Sequence, residues 1–283
     1  MKWEGRRESE NVEDRRGMGG RLVAGGGLGL LVIVVLALVF GVDPREVLQQ
    51  VGPQYAQEQS GPYQETAEEG QRRKFARVVL ADTEDAWNEI FRASGQQYEA
   101  PRLVLFSGHV QSACGFAQSA IGPFYCPEDR KVYLDLSFFD DLNTKLGANG
   151  DFASAYVIAH EVGHHVQTLL GITSRVAAQR SAGDDGSGSA GLSVRTELQA
   201  DCFAGVWAKH TESQKRVLEA GDIDEALNAA AAVGDDRLQQ RSRGYVVPES
   251  FTHGSAAQRS RWFRKGFESG DPNQCDAFTA SNL

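Results

Sequence analysis

The residues best suited to chemistry sit in two short runs, Ala159-His160-Glu161-Val162-Gly163-His164-His165-Val166 and Arg195-Thr196-Glu197-Leu198-Gln199-Ala200-Asp201. On an α-helix, the spacing of His160 and His164 stacks both imidazoles on one face, where they can share one tetrahedral ion. Glu161 follows the first histidine directly. Its carboxylate is thereby placed to take a proton from an attacking water rather than to bind metal. Zinc is the ion this chemistry implies. A catalytic zinc keeps three protein ligands and an open fourth position, so the two histidines need one more partner.

Glu197 is the expected third ligand. It shares a helix face with Asp201, one turn later. That helix is otherwise apolar, with Leu198, Ala200, Phe203, Val206 and Trp207, so two unpaired carboxylates would be costly to bury there. Ligation by Glu197 removes one cost, and a hydrogen bond from a ligand histidine to Asp201 removes the other while fixing the tautomer of that imidazole. The alternative of a third histidine ten residues after the first, with a later methionine turn, is excluded. Leu170 holds that position, and the only methionines are Met1 and Met18.

Together with Asn11-Val12-Glu13-Asp14-Arg15-Arg16-Gly17, Cys114-Gly115-Phe116, Gly122-Pro123-Phe124-Tyr125-Cys126-Pro127 and His253-Gly254-Ser255, these stretches make the chain resemble the bacterial putative neutral zinc metallopeptidase family nearly end to end. The resemblance implies a membrane-anchored enzyme with a gluzincin-type site that hydrolyses a peptide or protein substrate. In such sites a downstream His or Tyr donates to the developing oxyanion. His253 and Tyr245 are the candidates, against the alternative that His253 only bonds backbone at a helix start. In zincins a small sheet walls the cleft and its edge strand can pair with extended substrate. Gly115-Phe116-Ala117 is the candidate edge, or else only a turn. A catalytically idle, membrane-tethered protein that keeps zinc for structure is the competing reading, and it leaves Glu161 without a task.

The elements that must position these groups follow from periodicity. Phe152, Tyr156, Val157, Val166, Leu169 and Leu170 give the first motif a buried helix that Gly171 ends. Helical patterns run from about Gln71 through Ala93, from Ile223 to Leu238, and from an N-cap at Ser255 with Trp262, Phe263 and Phe267 as its buried stripe. Strands are expected at 102–106 and 131–136. Ser181 to Gly191 is a small-residue surface loop. The expected fold is α+β, a zincin-like domain that is mostly helical with a small sheet, preceded by one transmembrane helix.

Residues 1–21 read as a loose cytoplasmic tail, 22–42 as a charge-free anchor long enough to span a bilayer, 43–70 as a tether and 71–283 as the metallopeptidase domain. Arginines before the apolar run and acidic residues after it predict a single-pass inner-membrane protein with its amino terminus inside and its catalytic domain outside. Four cysteines in a domain so placed favour disulfides. Cys114 with Cys126 and Cys202 with Cys275 are the expected pairs among three possible connectivities, and Cys202 could instead be a small buried residue or a metal ligand. A net charge of −9 and the lack of a basic stripe exclude nucleic acid as a partner.

Overall fold

The computed structural model describes residues 1–17, 63–183 and 186–283. Strand β1 (Val12–Asp14) is followed by helix α1 (Ala67–Ala93), strands β2 (Arg102–Phe106), β3 (His109–Ser112), β4 (Gly115–Gln118), β5 (Phe124–Cys126) and β6 (Lys131–Asp135), and a short helix α2 (Phe138–Thr144). The remaining helices are α3 (Asp151–Leu169), α4 (Ile172–Ser181), α5 (Leu192–Lys215), α6 (Asp222–Ala232), α7 (Asp235–Arg243) and α8 (Ala256–Ser269). This is the expected α+β arrangement of helices with a small sheet. The continuous Ala-rich helix expected from Ile223 is instead two helices, parted around Val233 and Gly234.

Four strands form one sheet in the order β1-β2-β6-β5, parallel except for β5, while β3 and β4 make a separate antiparallel pair. Helix α1 opens with a capping box in which Thr66 and Glu69 satisfy each other's backbone. Phe75, Val79, Leu80, Trp87 and Phe91 on this helix enter the same core as Phe152 and Tyr156 of α3 and Phe203 and Trp207 of α5. The Phe152 and Trp207 rings stack at 5.8 Å, and Tyr156 meets Phe263 of α8 edge-on at 5.6 Å. The helices that carry the two motifs are thus held at the centre of the packing.

Two glycines allow close approach there. A Cβ on Gly163, between the two histidines, would lie 2.9 Å from the Ala200 carbonyl, so only glycine lets α3 come this near to α5. A Cβ on Gly266 of α8 would fall on the Cys202 carbonyl of α5.

The amino-terminal residues correct the expected loose tail. Val12–Asp14 is no loose tail but pairs in parallel with Leu103–Leu105. Arg7 is bonded to Glu84 at 2.9 Å, and Arg16 reaches Glu65 at 2.7 Å. Among the described residues no helix is long and apolar enough to cross a membrane, and the run 22–42 lies outside them, as does most of the 43–70 tether. The transmembrane part of the expected fold is therefore withdrawn.

The cysteines pair as Cys114–Cys126, which ties the β3–β4 hairpin to β5, and as Cys202–Cys275, which ties α5 to the carboxy-terminal segment. The second bridge spans 73 residues. Replacing Cys202 and Cys275 together by alanine should lower the unfolding free energy by about 4 kcal/mol through lost loop constraint. Denaturant unfolding checks this, and an unchanged midpoint would contradict it.

Candidate metal centre and active-site cleft

Helix α3 brings His160 and His164 to the floor of a cleft of about 880 Å³ that Glu161, Glu197 and His253 also line. The two imidazoles are 4.7 Å apart between centroids. Glu197 of α5 faces both, with Oε2 3.1 Å from His160 Nε2 and Oε1 3.3 Å from His164 Nε2. One donor atom from each of His160, His164 and Glu197 lies within 4.8 Å of the others.

The far nitrogen of each imidazole is engaged. His160 Nδ1 donates to Asp201 Oδ1 at 2.8 Å, and His164 Nδ1 donates to Gln167 Oε1 at 2.9 Å. Gln167 is itself oriented by donating its amide to Thr196 O at 2.7 Å and Gln199 Oε1 at 3.1 Å. With both Nδ1 atoms donating outward, the Nε2 atoms are the ones aimed at Glu197, and they would supply the ligand lone pairs once a metal displaces their protons. Two imidazoles, each with its far nitrogen engaged, and one carboxylate facing both are a donor set that fits zinc.

Electrostatics agree with a site built for a cation. Burial opposes charge on His160, yet Asp201 and Glu197 push its pKa up to about 10. Burial would raise the Glu197 carboxyl, but the two histidines hold it well below the ordinary carboxylate range. Glu161 behaves otherwise, since burial raises its pKa. Its carboxylate lines the cleft and accepts no hydrogen bond among the described residues, which leaves a raised-pKa base free to take a proton.

His253 and Tyr245 part company. Tyr245 is 60% exposed and does not line the cleft, whereas His253 does. One carboxylate holds the His253 segment: Asp235 Oδ2 accepts from the backbone N–H groups of Thr252, His253 and Gly254 at 2.7–3.0 Å, and its Oδ1 lies 3.2 Å from His253 Nδ1. The hydrogen bond to Asp235 raises the imidazole pKa against its burial, with Glu197 assisting and Arg259 opposing.

Gly115-Phe116-Ala117 belongs to β4, which among the described residues pairs only with β3 and does not line the cleft. The edge strand that does is β5, through Phe124 and Tyr125. It is fastened to α3 by His165, whose Nε2 donates to Glu99 O at 2.6 Å and whose Nδ1 accepts from Tyr125 Oη at 3.1 Å. His165 therefore points away from the metal face.

Sequence reasoning missed Gln167, Asp235, Tyr156 and Arg259. Gln167 had a local signal, one helical turn after His164. Tyr156 had one too, a turn before His160 on the same helix, whereas Asp235 and Arg259 reach the site only through tertiary packing.

A family model described as putative neutral zinc metallopeptidase matches residues 1–278. An uncharacterized Escherichia coli protein, YpfJ, is 53% identical over 99% of this chain and all of its own length. An uncharacterized Mycobacterium tuberculosis protein, Rv2575, is 45% identical over 87% of this chain and 86% of its own. No solved structure matches the chain.

Proposed function

The chain belongs to the putative neutral zinc metallopeptidase family, and we propose that it hydrolyses peptide bonds with one zinc ion held by His160, His164 and Glu197. The observation that carries this reading is the convergence of those three donors beside a buried, unbonded Glu161 carboxylate. Bound there, zinc would acidify a water and polarise the scissile carbonyl.

The chain's own residues do the rest. Glu161 takes the proton of the attacking water and passes it to the leaving amine. Asp201 and Gln167 keep the ligand imidazoles in the Nε2-facing tautomer. The free edge of β5 offers backbone groups to an extended polypeptide, and the Ile121, Phe124, Phe138 and Val157 side chains line an apolar cleft for its residues. Two disulfides suit an oxidising compartment.

His253 donates to the oxyanion. With Nδ1 donating to Asp235 Oδ1 and shared with Thr252 Oγ1 at 3.0 Å, Nε2 carries a proton to donate only when the ring is protonated, so activity falls as pH rises through the His253 pKa. Asp235→Asn removes the partner that raises this pKa. The alkaline limb of the kcat/KM profile should therefore move to lower pH. A pH-rate series on parent and variant checks this, and an unmoved limb would release His253 from the role.

The test of the function as a whole is cleavage of an unfolded protein by zinc-loaded chain, followed by sequencing of the new amino termini.

A further inference from the structure

Arg259 is buried in the first turn of α8, beside the metal site. A cation at that end of a helix opposes the helix dipole, and burying any charge is costly unless it is paired. Its partners explain the cost. Nε donates to Asp201 Oδ2 at 2.8 Å, and Nη2 donates to Asp201 Oδ1 at 2.9 Å and to Tyr156 Oη at 3.2 Å. The guanidinium fork thus grips both oxygens of the carboxylate that receives His160 Nδ1. Tyr156 also bonds Asp201 Oδ1, so this fully buried carboxylate on α5 is held from two other helices, α3 and α8.

A plain structural ion pair would join α5 to α8 and stop there. This one continues into the site. Arg259 Nη2 lies within 3.4 Å of both ring nitrogens of His160 and 3.7 Å from Glu197 Oε2, and Arg259 lines the cleft. The close packing of α8 on α5 at Gly266 sets where the fork can reach.

We propose that Arg259 is a positioning residue for the metal centre: by locking the Asp201 carboxylate in plane with its fork, it fixes the tautomer and ring orientation of His160 and so strengthens zinc binding. The proposal rests on the ligand set proposed above but not on peptide hydrolysis. Arginine is needed for it. Lysine keeps the charge but offers a single point donor that cannot hold both carboxylate oxygens.

The test uses the full chain as parent, Arg259→Lys and Arg259→Met, with zinc affinity read by competition with a chromophoric chelator. Ligand geometry is read from the visible spectrum of the cobalt-substituted protein, and stability from melting of the metal-free forms. Arg259→Lys should melt near the parent yet bind zinc about 10-fold more weakly, the scale of a lost outer hydrogen-bond partner, with an altered cobalt spectrum. Arg259→Met should weaken zinc at least as much in whatever fraction folds. Parent-like zinc affinity and cobalt spectrum in Arg259→Lys would overturn the role, leaving a structural ion pair. Tighter zinc binding in Arg259→Met would overturn it too, because the cation would then act only by repelling the metal. A parent chain that binds no zinc would remove the ligand set and this role with it, whereas a parent that binds zinc but cleaves nothing leaves the role standing.

Discussion

Glu161→Gln should lower turnover of a cleaved peptide by about 10²- to 10⁴-fold, the usual contribution of a positioned acid-base group. The substitution keeps the size of the side chain and both imidazole ligands, but an amide cannot accept the proton of water at neutral pH. The Glu161 carboxylate makes no hydrogen bond among the described residues, so its loss orphans no partner. Zinc content and melting temperature should stay near the parent values. The loss should appear in kcat more than in KM, because the proton moves only on the way to the transition state. A variant that holds zinc, melts like the parent and still cleaves at the parent rate would refute Glu161 as the base.

Glu197→Ala should weaken zinc binding beyond the roughly 10- to 100-fold expected from losing an outer partner such as Asp201, because it removes one of three donors. The asymmetry follows from position. Glu197 faces both Nε2 atoms, whereas Asp201 touches only the far side of one ring. Asp201→Asn should fall within the smaller range. Chelator competition on the purified variants separates the two. A Glu197→Ala protein that retains one zinc per chain under mild chelation would show that the third donor lies elsewhere.

Much of the site was legible because its geometry is local. A helix fixes the relation of His160 to His164 and of Glu197 to Asp201 from spacing alone, and apolar flanks told that both helices are buried. Gly171, with φ at 71°, ends α3 as its position promised. The same holds for strands β2 and β6 and for the Ser255 cap of α8, each written in a few adjacent residues. What stayed hidden depends on contacts between distant segments. Arg259 looks like an ordinary surface arginine near a helix start until α8 is laid against α5. Asp235 looks like a helix-terminal acid until the backbone of residues 252–254 folds over it. The edge strand was misplaced for a related reason: β4 and β5 are both short, and only the pairing of β5 with β6 puts it beside the cleft. The amino terminus misled most. Polar, charged composition reads as a loose tail, yet Val12–Asp14 gains its order from β2, far away in sequence.

The central claim, that this centre performs zinc-dependent peptide hydrolysis, is tested most directly by counting new α-amino groups released from an unfolded protein by the full chain, before metal removal, after it, and after zinc is restored. The account predicts cleavage that disappears with the metal and returns as zinc approaches one ion per chain. A chain that takes up one zinc and releases no new amino groups would contradict it and favour a zinc-holding binding protein.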